Sequence, residues 1–131
     1  MRESVLNYIK TLPLGTFTVS DDLPRDESGI TLYSKNPKRI YVDLEQYTET
    51  PLVQALNGFD LHAEDTTVSV YFTADAKQLP ANYSSIVTGI KAARNIDPTE
   101  GFNNRTVDIS TNYEADMLLT RVDITYRRLT S

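Results

Sequence analysis

Cysteine is absent from this chain, and histidine occurs once, at His62. The first absence excludes disulfide frameworks, thiolate metal sites and thiol nucleophiles, and leaves the redox compartment open. The second leaves little for catalysis, because a lone imidazole has no second His, Gly-rich loop or nucleophile elbow around Ser84-Ser85 to work with. Long apolar runs are also missing: none approaches the roughly 18 residues of a membrane helix. Met1-Arg2-Glu3-Ser4 has no apolar signal-peptide core behind it, so the expected place of synthesis and work is the cytoplasm. One further absence is local. Between Ile40 and Ala76 there is no Lys or Arg, while Asp43, Glu45, Glu49, Asp60, Glu64, Asp65 and Asp75 all fall inside that span.

What is present fits one domain over residues 1–131. A 14.8 kDa chain with 40% hydrophobic residues is long enough to bury roughly two-thirds of its unfolded surface. The formal charge of -5 and pI near 4.8 disfavour a generic nucleic-acid binder, whose affinity comes from Lys and Arg neutralising phosphates.

Val5, Leu6, Ile9 and Leu12 recur at helical spacing until Pro13, which predicts a helix over Glu3 to Leu12. Thr16 to Ser20 reads as a short β-branched strand, Asp21 to Gly29 as an exposed loop, Ile30 to Tyr33 as a second short strand and Asn36 to Arg39 as a turn. From Ile40 the period is two. Ile40, Val42 and Leu44 point one way and Tyr41, Asp43 and Glu45 the other, giving a half-buried strand with an acidic outer face. Gln46 to Ala63 reads as a long excursion or extended hairpin, with Asn57-Gly58 as its turn signal. Thr66 to Thr73 alternates cleanly. Tyr83, Ile86, Val87 and Ile90 place a second helix over about Leu79 to Arg94, followed by a loop over Asn95 to Asn104. Val107, Ile109 and Tyr113, then Leu118, Val122, Ile124 and Tyr126, predict a closing hairpin turning at Glu114-Ala115-Asp116. The expected class is α+β: a mostly antiparallel sheet with two helices packed on one face and a long β-hairpin or loop excursion.

No catalytic, cofactor-binding or metal-ligating residue is assigned. Asp43 and Glu45, two apart on a strand, could do acid and base work or hold a hard cation beside His62; the plainer reading is two solvated residues. Tyr41, Tyr47 and Tyr71 on outer strand faces fit either ordinary sheet surface or a subunit interface. Tyr47, Leu52, Val53, Leu56 and Phe59 favour the interface, since apolar residues on a projecting segment often pack on a neighbour. The basic-free span is either a set of solvated outward positions or a face whose sign is used, toward a basic partner or around a passage for a polyanion.

The element order resembles that of the tail terminator proteins of tailed bacteriophages, the lambda-like tail terminator family. The resemblance is carried by the N-terminal helix, by Ile40-Tyr41-Val42-Asp43-Leu44 running into a long excursion, and by Thr67-Val68-Ser69-Val70-Tyr71-Phe72 leading through Ala76-Lys77-Gln78 into the second helix. Ser110-Thr111-Asn112-Tyr113-Glu114 and Thr125-Tyr126 complete it. It implies a non-enzymatic virion structural protein, without cofactor, that forms a homo-oligomeric ring, commonly a hexamer. Such a ring caps the tail tube protein, stops tube growth, meets a head completion or neck protein, and lets DNA pass without specific binding. Its location would be the virion, after assembly in the host cytoplasm. Carried onto this sequence, it implies that some of Asp43, Glu45, Glu49, Glu64 and Asp65 form an acidic face toward the lumen or the adjoining ring. A tail tube or neck protein is the nearest alternative, and a small ligand-binding module or enzyme using Asp43, Glu45 and His62 the more distant one.

Overall fold

The computed structural model describes residues 1–20, 38–43, 46–54, 60–93, 102–114 and 116–130. The expected loop at Asp21 to Gly29, the strand at Ile30 to Tyr33, the Asn57-Gly58 turn and most of the loop after the second helix lie outside them. Helix α1 (Arg2–Ile9) is followed by β1 (Thr18–Ser20), β2 (Arg39–Val42), β3 (Gln46–Gln54), β4 (Asp60–Asp75), helix α2 (Tyr83–Lys91), β5 (Asn103–Glu114) and β6 (Met117–Thr130). The class is the expected α+β. Six strands form one sheet in the order β1-β2-β4-β6-β5, with β3 also paired to β4, and every pairing is antiparallel except β1 with β2.

Both helices are shorter than expected, α1 ending at Ile9 rather than Leu12 and α2 starting at Tyr83 rather than near Leu79. After Ile9 the chain tightens into i→i+3 bonds, Thr11 N–H to the Tyr8 carbonyl and Leu12 N–H to the Ile9 carbonyl, each 3.0 Å, a common way to satisfy the last carbonyls. At α2, Pro80 stands in the preceding turn rather than inside the helix: the Tyr83 N–H donates to its carbonyl at 3.0 Å. Asn82 holds the N-cap position but does not cap with its side chain. Instead its Nδ2 donates to the carbonyls of Pro13 and Leu14, at 3.1 and 2.7 Å, tying the start of α2 to the exit of α1. Tyr8 makes a second tie, its hydroxyl donating to the Gly89 carbonyl at 2.7 Å.

The main core lies between this helix pair and one sheet face. Val5, Leu6, Ile9, Ile86 and Ile90 meet Ile40 and Val42 of β2, Val68, Val70 and Phe72 of β4, and Val122, Ile124 and Tyr126 of β6. The Phe72 ring is set between Phe17, edge-on at 6.1 Å, and Tyr83, tilted at 5.7 Å, separations typical of favourable aromatic pairs. The opposite face is not simply wet. Tyr41, Tyr71, Thr73 and Leu119 are buried there, so β2 is covered on both faces and the half-buried strand expected around Ile40 is corrected for Tyr41.

Strand register explains a second departure. Val42 pairs with Val70 and Gln46 with Thr67, so the register of β3 on β4 is offset by one residue from that of β2. A one-residue offset exchanges the faces of everything beyond it. Tyr41 shares the outer face with its partner Tyr71, whereas Tyr47, opposite Thr66, shares the helix-side face. Reading both tyrosines as outward was therefore wrong for Tyr47. A second shift falls between Pro51 and Val53 and leaves Leu52 unmatched.

Candidate functional site

β4 has 16 residues and β6 has 14, while α1 and α2 have 8 and 9. At about 3.4 Å per strand residue against 1.5 Å per helical residue, the sheet runs to about 50 Å and each helix to only about 13 Å. The helix layer thus ends near Val68 and Tyr126. Past that line, β3 and the neighbouring halves of β4 and β6 continue as an arm, the hairpin expected between Gln46 and Ala63.

The helix-side face of the arm carries Tyr47 and Glu49 from β3, His62 and Glu64 from β4, and Arg128 from β6, brought level by the pairings Glu49 with Glu64 and Glu64 with Arg128. Glu64 is bonded at both oxygens: the Tyr47 hydroxyl donates to Oε1 at 2.7 Å and Arg128 Nε to Oε2 at 2.6 Å. The Arg128 bond, then the Tyr47 bond, hold its carboxyl below the usual range. Tyr47 responds oppositely. Donating to a carboxylate stabilises its protonated form, and its pKa is pushed up to about 12. Arg128 also stacks on the Phe102 ring, 4.4 Å from its centre, a cation–π contact. His62 Nδ1 lies 3.5 Å from Glu49 Oε1, an ion pair whenever the imidazole is protonated.

The other face of the same strands bears a polar ladder. Arg127 grips Asp65 with two parallel bonds, Nε to Oδ1 at 2.8 Å and Nη2 to Oδ2 at 3.0 Å, the fork geometry suited to a carboxylate. Further along, Thr67 meets Thr125 at 3.0 Å, and Asp123 accepts from Ser69 at 2.5 Å and from Arg121 at 2.9 Å. The Arg121 guanidinium stands 5.4 Å over the Tyr71 ring.

These pairings revise the acidic span. Adjacent strand residues point to opposite faces, so Glu64 and Asp65 cannot belong to one acidic surface, and each is matched by an arginine of β6. Glu49 stays with Glu64, and its side chain is half exposed. Asp43 directly follows β2, and its N–H donates to the Ser69 carbonyl at 2.9 Å. His62 is further along β4 by about 24 Å of extended strand. The structure therefore does not bring Asp43 and His62 together, and Glu45 lies outside the described residues. Among the described residues, no group of three or more His, Asp or Glu is placed to hold a metal ion.

Neither a family model nor a curated protein matches the chain. No helix of the described residues is long and apolar enough to cross a membrane.

Of the interface candidates, Tyr47 and Leu52 are exposed at 55% and 45%, which suits contact. Val53 is placed in β3 by its backbone alone, and Leu56 and Phe59 fall outside the described residues. Exposed Leu129 on β6 joins Tyr47 and Leu52 on the arm. Sequence reasoning missed Arg127 and Arg128. Their signal was there: an Arg-Arg pair on one strand matches a Glu-Asp pair on the next, one bridge per face, once the two strands are set side by side.

Proposed function

We propose that this chain is a non-enzymatic virion structural protein, a tail terminator whose ring caps the tail tube, stops its polymerisation and joins the tail to the head. The observation that carries the reading is the arm. A sheet that outruns its helices and leaves Tyr47 exposed on one face, Leu129 on the other and Leu52 near the end of β3 offers apolar contacts to neighbours. The carboxylates nearby are engaged in pairs that align strands, and Glu64 and Asp65 have their oxygens committed to Arg128, Tyr47 and Arg127. Chemistry of that kind supports assembly rather than turnover.

In this reading the partners are further copies of the chain, the tail tube protein below and a head completion or neck protein above. DNA passes through the ring without specific binding, since carboxylates such as Glu49 make no phosphate contacts. Among the described residues, β3 and β5 each pair with one strand only, and an edge of that kind also suits a tail tube or neck subunit, because an open edge can template growth as well as closure. Negative-stain imaging with light scattering, on the protein alone and with added tail tube, separates these. Closed rings that arrest tubes at fixed length are expected. Filaments growing with time would indicate a tube protein, and monomers under both conditions would overturn the assembly reading.

A further inference from the structure

On the outer side of the helix pair, away from the sheet, lies an open groove of about 410 Å³ lined by Leu12, Pro13, Ser84, Ser85, Thr88 and Gly89, with Ala92 at one end. Its depth depends on Gly89, where a Cβ would come within 2.7 Å of Leu12 Cδ2. Among the described residues that build it, the charge has one sign. Exposed Lys10 and Lys91 stand two and one positions from the lining residues Leu12 and Ala92, and residues 8–20 and 79–93, which build the groove, contain no Asp or Glu. An apolar floor with a cationic rim fits a knob of apolar side chain carried on an acidic segment.

The arm has that character. Leu52 is left unmatched by the register shift between Pro51 and Val53 and is 45% exposed, so the bulge turns it into a protruding apolar residue. Three residues earlier stands half-exposed Glu49, and residues 46–65 carry no Lys or Arg. The arm of the same molecule cannot reach its own groove. α2 packs over Phe72, Pro51 lies opposite His62, and the intervening stretch of continuous β4 is about 33 Å of strand leading away from the helices.

We propose that the α1–α2 groove receives the β3–β4 hairpin of a second copy of this chain, with Leu52 seated against Leu12, Pro13 and Gly89 and Glu49 directed at the lysine rim. The inference rests on the assembly reading above and specifies its contact. Arm and groove are different surfaces, so the interface is head-to-tail, and repeating it either closes a ring or extends a filament. Each single contact is small, and ring closure supplies the avidity that one knob in a shallow groove lacks.

The absence of cysteine makes the test direct, since an introduced pair cross-links only where two Cα atoms approach within about 7 Å. Leu52→Cys and Thr88→Cys are prepared as separate proteins, mixed, oxidised and run on a non-reducing gel. A disulfide-linked dimer is expected from the mixture, against background from Leu52→Cys mixed with Tyr113→Cys, a site 72% exposed on another part of the sheet. Both cysteines in one chain should give covalent multimers. A mixture no richer in dimer than the control, or a double variant that closes within its own chain, overturns the proposal. Sedimentation adds a readout independent of cysteine: Lys91→Glu should weaken self-association and Glu49→Lys in the same chain should restore it, while no recovery counts against the contact. Assembly by mass without the cross-link refutes this docking site and leaves the assembly reading standing. The cross-link in open filaments supports the docking and refutes the terminator. No assembly and no cross-link overturns both.

Discussion

Removing one oxygen from Tyr126 isolates the bond that fixes where the helix layer stops. The Tyr126 hydroxyl is fully buried and donates to the Ala93 carbonyl at 2.9 Å, with Ala93 itself at 0% exposure. Burial, and to a smaller extent Tyr8, raise the pKa of this hydroxyl, so it keeps its proton and acts as donor at any ordinary pH. Tyr126→Phe retains the ring and opens no cavity larger than one atom, so the cost reduces to the lost bond and the stranded carbonyl. Deleting one partner of a buried hydrogen bond costs about 1–3 kcal/mol. For a chain of this length that lowers the melting temperature by roughly 3–5 °C per kcal/mol, interpolating between smaller and larger domains. Urea unfolding followed by far-ultraviolet circular dichroism measures the change, with the slope expected to stay constant and the midpoint to fall. A variant within about 0.3 kcal/mol of the parent, well inside the scatter of surface substitutions, would falsify the account of Tyr126 as the clamp between β6 and the end of α2.

Tyr47 gives an alkaline signature. Its folded pKa is raised from 10.0 to about 12, so the stability it contributes is complete below pH 10 and is lost as pH rises toward about 12. Tyrosinate absorbance and stability should change together there in the parent, and Tyr47→Phe should remove that part of the pH dependence. Glu64 acts at the other end: its folded pKa is lowered, so its contribution is present above the ordinary carboxylate range and disappears as pH falls through the folded value. Acid unfolding of Glu64→Gln, tracked by circular dichroism, should accordingly be less steep than that of the parent. Gly89→Val brings a Cβ against Leu12 and adds β-branching in a helix, so a loss of about 1–3 kcal/mol is expected on thermal melting; an unchanged melt would mean that Leu12 swings aside freely.

Much of the frame was legible because each helix and long strand repeats its apolar residues at its own period. Val68, Val70 and Phe72 announce β4, and Ile86 and Ile90 announce α2. What escaped is tertiary. The true length of β4 was hidden because Asp60 to Asp65 is polar, and a polar stretch counts as strand only when flanking strands supply hydrogen bonds and counter-charges. The ends of both helices escaped for a related reason, as Asn82 spends its side-chain donor on the turn after α1 and Tyr8 its hydroxyl on α2. At the candidate site, Leu52 and Tyr47 were identifiable as apolar residues in polar company. The partnering of Glu64 with Arg128 was not, since their separation of 64 positions closes only through strand register.

The one-residue register offset between β2 and β3 on β4 bears on how this protein should be compared with others. A homologue one residue shorter at that point would keep the strand yet present Tyr47's position to the opposite side, moving a hydroxyl away from Glu64 without changing a single side chain. Insertions and deletions there act as inversions of an entire surface. Alignments that slide one gap through this segment would pair residues facing opposite ways, so relatives are best superposed outward from β4, whose register with β6 is unbroken from His62 to Asp75.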